Sequence, residues 1–244
     1  MSQAQKQKRY LRFSAFERVE HLVLIISFTT LAVTGLVQKY SSWPVSQVIV
    51  QFLGGIETTR LIHHFAAAIF LIEAVYHLIM AGYKIFVQNK EASMLPGIKD
   101  GQDALQWFRY NLGMADKPPK MPRYNFMEKA EYWAMAWGLV LMGLTGLMLW
   151  NPIATTNILP GTFIPAAKAA HGAEAVLAVL AIILWHFYHV HIKHWNWAMI
   201  KGTISRHEME VEHAEELEKI ESGRLPEPPP PAVVRRRLAI FAPA

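Results

Sequence analysis

The chain contains no cysteine among its 244 residues. Disulfides, thiolate zinc sites, iron–sulfur clusters and covalently attached c-type haem are thereby excluded as features of this chain. Charge is scarce in four long stretches, and none of them carries the mid-membrane Gly/Pro break, paired between helices, that marks many transporters. No short apolar run with a small-residue cleavage site follows the basic first 18 residues, so a cleaved signal peptide is not expected. No internal sequence repeat is evident. The formal net charge of +5 does not call for nucleic acid as a partner. Basic residues outside a bilayer also set topology.

What the chain does have is apolar length. Hydrophobic residues make up 52% of it, with eight Trp, and the mean hydropathy is positive. Four stretches, 20–38, 61–86, 130–150 and 168–193, come near the roughly 20 apolar residues that a membrane-spanning helix needs. The expected fold class is all-α, an integral membrane four-helix bundle. A soluble helical core is the alternative, but helices apolar on all sides would need far more chain to cover them. Lys6, Lys8, Arg9, Arg12 and Arg18 precede the first span. Lys84, Lys90, Lys99, Arg109, Lys117, Lys120, Arg123 and Lys129 lie at or between the ends of spans two and three, whereas the other two loops offer only Lys39, Arg60 and Lys168. Both termini are therefore expected in the cytoplasm, with the protein in the cytoplasmic (inner) membrane. Trp43, Trp150, Trp195 and Trp197 sit where an aromatic belt would place them.

The expected organisation is a cytoplasmic segment 1–19, a four-span domain 20–206 and a cytoplasmic tail 207–244. Within the cytoplasmic loop 87–129, DALQWFRYNLGM (103–114) reads as a short amphipathic surface helix, followed by the breaker KPPKMP. ISRHEMEVEHAEELEKIE (204–221) reads as a solvated charged helix and PEPPPP as a stiff extended linker. The closing RRRLAIFAPA suits contact with a partner or the membrane surface.

Ionisable residues inside spans are functional candidates by default. Here the histidines fall in layers. His63 and His64 open span two, with His77 fourteen residues on (77−63); His171 opens span four, with His186 fifteen residues on (186−171). At 1.5 Å per residue these intervals span about 21–23 Å of depth. His63 and His171 thus share an outer level, while His21, His77 and His186 share an inner one. By rotation, fourteen residues leave two side chains about 40° apart and fifteen about 60°, so either pair can face one bundle interior. Facing histidines on separate helices, in two layers, are what two stacked bis-histidine b haems require. Gly35, Gly143 and Gly146 offer small surfaces where a flat macrocycle can approach the backbone. Each histidine also has a plainer reading, as a hydrogen-bonded packing residue. That reading is preferred for His64, His191 and His194, which lie beside better-placed neighbours or at the interface.

The motifs resemble those of the cytochrome b (gamma) subunits of membrane-bound formate dehydrogenases, a family extending to the cytochromes b of nickel–iron hydrogenases. The resemblance covers roughly residues 10–206 and rests on five segments. They are RFxxFERVEHL (12–22), LIH (61–63), RYNFMEK (123–129), AAHG (169–172) and WHFYH (185–189). It implies a four-helix protein with two b haems that exchanges electrons with menaquinone or ubiquinone near the cytoplasmic side. It also implies a partner within a larger respiratory oxidoreductase, such as an iron–sulfur or a multihaem cytochrome c subunit. By position the outer haem would take His63 and His171, with Arg60 near a propionate. The inner haem would take His21 and a histidine near 186, and Asn125 would match the quinone site. Glu128 and His189 are further candidates there, for proton exchange.

The chain departs from the family pattern in places. The spacing in span four would land on Trp185, so His186 comes one residue late and needs a local bulge or rotation. His189 shares the face of His171 and competes as ligand. Met127 stands where a glycine is usual, and His77 is extra. Glu73 lies four residues before His77, and a charged side chain there costs about 2.5 kcal/mol or more. The pair Glu73–His77 could tune the inner haem, feed protons to quinone or help hold a third haem; a neutral Glu bonded across helices is the plain alternative. Two other functions fit a histidine-lined bundle, a metal or proton transporter and a haem-free membrane anchor. The chain carries no centre for a primary substrate, so any catalysis on one belongs to a partner.

Overall fold

A computed structural model describes residues 8–193, 195–224 and 229–241, the side chains of 239–241 excepted. His194 lies outside the described residues, as do Pro226, Glu227 and Pro228 of the PEPPPP segment.

The chain opens with β1 (Arg9–Leu11) and the long helix α1 (Ala15–Lys39), followed by the short α2 (Pro44–Phe52). Then comes α3 (Ile56–Gly82), which runs on through a π-helical turn, Tyr83–Val87. After α4 (Ile98–Asn111) the chain forms α5 (Phe126–Trp150), the short α6 (Pro152–Thr156) and α7 (Phe163–Ala181). Two π-helical turns, Ile182–His186 and Tyr188–Lys193, extend α7. The chain continues with α8 (Ala198–Lys201), β2 (Thr203–Ser205), α9 (Arg206–Glu212), α10 (Ala214–Glu221) and α11 (Pro231–Phe241). Four helical stretches are long and apolar enough to cross a membrane: Ala15–Lys39, Ile56–Val87, Phe126–Trp150 and Phe163–Lys193. Each contains one of the expected spans and adds a turn or so at its start. At most 11% of each apolar window is buried within the chain, so most of this apolar surface faces outward, as lipid-immersed helices require.

The described residues fall into two compact units. One comprises Phe16–Val75 and Trp133–Asn196, the bulk of the four long helices. The other takes in Tyr76–Tyr132, the chain up to Ala15 and everything from Trp197 onward. In this second unit β1 pairs antiparallel with β2, Tyr10 opposite Ile204. A small core forms on this ribbon from Tyr10, Ala198, Ile204, Met209 and Leu217.

The tail differs from the sequence expectation. Residues 204–221 form a strand end and two helices broken at His213, not one solvated helix. Met209, His213, Glu216 and Leu217 are buried. The segment is held to the loop before α5, with Glu215 N donating to the Met121 carbonyl at 3.0 Å and Lys120 paired with Glu218 at 2.6 Å. The alternation of Glu with Met, Val and Leu hid a one-sided apolar face.

The structure also corrects the expectation of no internal repeat. Each boundary of α5 lies 111 positions after that of α1 (126−15 and 150−39). At that offset Arg12 matches Arg123, Glu17 matches Glu128, Glu20 matches Glu131, and Thr34-Gly35-Leu36 matches Thr145-Gly146-Leu147. Arg12 donates to the Arg123 carbonyl, and Arg123 donates back to the Arg12 carbonyl at 2.7 Å. A reciprocal bond of this kind is what two equivalent halves produce.

Candidate functional site

In the unit built from the four long helices, two pairs of imidazoles face each other. The ring centres of His63 (α3) and His171 (α7) are 6.4 Å apart with their planes at 69°. Those of His21 (α1) and His186 are 6.2 Å apart at 37°. Metal–imidazole bonds of about 2.0–2.1 Å, plus roughly 1.1 Å from nitrogen to ring centre, put two axial imidazoles about 6.2–6.4 Å apart. Ring planes rotate freely about that common axis, so both angles are admissible. The residues fit a bis-imidazole iron.

The first pair is also oriented for it. Thr34 Oγ1 donates to the Thr30 carbonyl at 2.6 Å and lies 2.9 Å from His63 Nδ1. A hydroxyl has one proton, and here the backbone takes it. The oxygen therefore accepts from Nδ1–H, which leaves Nε2 with its lone pair available to a metal. The same device recurs on the other side. Thr145 Oγ1 donates to the Leu141 carbonyl at 2.6 Å and lies 2.9 Å from His171 Nδ1. Each threonine is followed by a glycine that makes room for the ring. A Cβ on Gly35 would come within 3.2 Å of His63 Cε1, and one on Gly146 within 3.3 Å of His171 Cε1. These glycines thus accommodate the imidazoles themselves, a different reason from the approach of a macrocycle expected from sequence. Gly143 faces Leu71 instead.

The offset in span four is resolved by backbone. A π turn consumes one residue more than an α turn, and Phe187 N bonds back to the Ile182 carbonyl, five residues earlier. The extra residue brings His186, one position later than the family spacing, to His21. His189 turns its Nδ1 to the Trp185 carbonyl at 2.8 Å. His64 stacks on Trp150 with ring centres 4.2 Å apart, and His191 packs between Phe187 and Trp195.

The sequence matches the prokaryotic cytochrome b561 family over residues 2–97 and 99–202. The chain belongs to that family. It is also similar to the formate dehydrogenase cytochrome b556(fdo) subunits of Escherichia coli K12 and of strains O6:H1 and O157:H7. Each is 22% identical over 198 residues, covering 80% of this chain and 82% of the relative. As a prokaryotic cytochrome b561, the protein is a multi-pass membrane cytochrome whose cofactor is b-type haem.

The remaining candidates of this cytochrome b561 make the following contacts. Arg60 is exposed and pairs with Glu57 at 2.8 Å. His77 Nε2, the nitrogen a ligand would use, lies 3.1 Å from the Tyr132 hydroxyl. Asn125 is buried as the N-cap of α5: its Oδ1 accepts from Glu128 N at 2.9 Å, and Glu128 Oε2 accepts from Asn125 N at 2.8 Å. The other oxygen of Glu128 accepts from Arg12 at 2.9 Å, whose guanidinium stacks over Tyr124. Beside this network, His213 gives Nδ1–H to the Pro122 carbonyl. Burial, with the Arg12 guanidinium and then that of Arg123, pushes His213 down to about 4.

Four contributing residues escaped the sequence reading. Thr34 and Thr145 look like ordinary span threonines, and only their register against a histidine on the next helix gives them a role. Lys39 Nζ would lie 2.7 Å from a Cβ on Gly172, next to His171. Glu174, a carboxylate within α7, puts Oε1 2.7 Å from the position of a Cβ on Gly138. A tally of charges within each apolar run was the available signal for Glu174.

Proposed function

We propose that this chain is the diheme cytochrome b subunit of a respiratory oxidoreductase, carrying electrons between a partner redox subunit and the quinone pool of the inner membrane. What carries the reading is the presence of two separate imidazole pairs, each at the spacing of an iron bound on both sides. His63 and His171 would hold one b haem, and His21 and His186 the other. Bound there, haem supplies one-electron transfer. The protein's part is to present four Nε2 atoms and to fix the tautomers of His63 and His171 through Thr34 and Thr145.

Two haems are favoured over three because the Tyr132 hydroxyl engages His77 at its ligating nitrogen. The transporter alternative is weakened as well, since no three His, Asp or Glu side chains gather as a metal site among the described residues. The Lys/Arg asymmetry supports cytoplasmic termini, which sets the His63–His171 haem toward the outside and the His21–His186 haem toward the cytoplasm. The resemblance assigns the quinone to the start of α5, where Asn125 and Glu128 lie, and leaves His189 as a further candidate for proton exchange. The similarity to formate dehydrogenase cytochrome subunits supports assembly with a larger oxidoreductase, whose electron-supplying or electron-accepting neighbour is an iron–sulfur or multihaem subunit.

The test is haem stoichiometry. Purified protein should contain about two non-covalent b haems by pyridine hemochrome, as bis-histidine sites in a chain without cysteine require. His63→Ala and His171→Ala should each remove one haem and leave the same one behind. His21→Ala should remove the other. Protein without a Soret band, or variants with full haem content and unchanged spectra, would overturn the assignment.

A further inference from the structure

The repeat relates the ligands to one another. His63 and His171 are equivalent across it, each held by the Thr-Gly of the preceding long helix. His21, the seventh residue of α1, corresponds to Tyr132, the seventh of α5 (132−21 gives the same 111). His186 corresponds to His77, once the residue consumed by the π turn is allowed for. The counterpart of the His21–His186 pair is therefore Tyr132–His77. These two are in contact, with Tyr132 Oη 3.1 Å from His77 Nε2 and ring centres 5.9 Å apart.

That distance decides what the pair can hold. A metal ion between the two atoms would need about 4 Å, twice a bond of 2.0–2.1 Å. At 3.1 Å the gap is closed by a hydrogen bond, and a proton is what such a bond carries. The pair lies one helical turn along α5 from Glu128 and two from Asn125, on the same face by their spacing.

We propose that Tyr132 and His77 form the proton-transfer pair of the quinone reaction, the second copy of the inner iron site having been turned from electron to proton duty. The proposal rests on the quinone reading above. In the reducing direction, a bound haem would supply the quinone with one electron at a time. Tyr132 Oη–H then gives its proton to the quinone oxygen, and the phenol oxygen takes a proton from His77 Nε2–H. The imidazole, now neutral, is reprotonated by water at the mouth of the span. Two such rounds deliver two electrons and two protons and yield the hydroquinone. Hydroquinone oxidation runs the same bonds in reverse.

The test uses the full-length haem-loaded protein in detergent, with menadiol and duroquinol as reductants. Stopped-flow haem reduction is followed across pH, and haem content and inhibitor affinity are measured with a hydroxyquinoline N-oxide. Tyr132→Phe removes only the hydroxyl and should slow haem reduction by about a hundredfold, at the lower margin of general acid–base effects. Haem content, the reduced spectrum and inhibitor affinity should stay within about twofold, as only a proton path is lost. His77→Gln should slow the reaction similarly and flatten its pH profile, and the double variant should be no slower than either single one. Unchanged rates in Tyr132→Phe, additive losses in the double variant, or haem loss in either single variant would each overturn the pair's role. If neither reductant reduces wild-type haem, the quinone reading itself falls, and the proposal with it.

Discussion

Thr34 stands 29 residues before His63 in sequence, yet its hydroxyl holds the histidine's Nδ1 at 2.9 Å. The bond is not available to a valine of the same shape. Groups that orient a metal ligand from behind typically contribute 10–100-fold to affinity. Thr34→Val should therefore weaken haem retention about 10–100-fold at the His63–His171 position while leaving the other haem intact. Thr145→Val should behave the same way, since it performs the same task for His171. Haem per chain after extended dialysis, together with redox titration of each haem, measures this. Identical retention and potentials in both variants would remove the threonines from the account.

His186 and His189, both in the α7 extension, are expected to separate cleanly. His186→Ala should lose the haem shared with His21. His189→Ala should keep both haems, because its ring is turned to the Trp185 carbonyl, and should lose reactivity toward hydroquinone. A spectrum and a stopped-flow trace for each variant suffice; the reverse pattern would make His189 the ligand.

Orientation is open to a direct check. Reporter fusions at residues 50 and 160 should report the outside and a fusion at 105 the cytoplasm, following the basic loops. The opposite signals would exchange the sides assigned to the two haems.

His213 gives the docked tail a pH dependence. An unfolded histidine takes a proton near pH 6.5, whereas folded His213 resists until about 4. Between these values the unfolded form binds more protons, so the docked state loses stability as pH falls, by at most about 3 kcal/mol. Among the described residues, Glu212 and the Pro122 carbonyl also act on this ring, and both favour its charged form. Glu215, held down chiefly by its hydrogen bonds to Lys219 and Lys99 against the opposing effect of burial, adds to the loss only below its ordinary range. Protection factors in 206–221, which are corrected for the intrinsic exchange rate, should thus fall between pH 6.5 and 5. His213→Gln should flatten that dependence; equal slopes in both proteins would exclude the histidine as its source.

Much of the site was legible because its determinants are long or strongly spaced. Four apolar runs give four helices almost by length alone, and histidines at intervals of fourteen and fifteen residues reveal shared depths. Even the bulge was foreseeable, because His186 is one residue late for a straight helix. What stayed hidden depends on contacts between distant segments. Thr34 carries no mark of His63 until the helices are paired. The repeat is carried by six identities scattered over a 25-residue helix and the residues just before it, too thin to stand out until helix boundaries and reciprocal contacts align. Asn125 and Glu128 looked like ligand-facing polar residues. They also form a capping box, which places the same two residue types at the same interval, a contact the sequence reading did not register.

The mutual bond between Arg12 and Arg123 bears on how such a molecule comes to be asymmetric. Two separate hairpins that dimerise about a twofold axis must make every position twice, and a haem on that axis receives identical ligands from both. Joining the hairpins into one polypeptide lifts the obligation. Under the proposed assignment, a haem between His63 and His171 would keep matched histidines, while positions off the axis are free to diverge, as His21 and Tyr132 do. Division of labour between electrons and protons would then be a change at a single residue, made without disturbing the scaffold that both copies share.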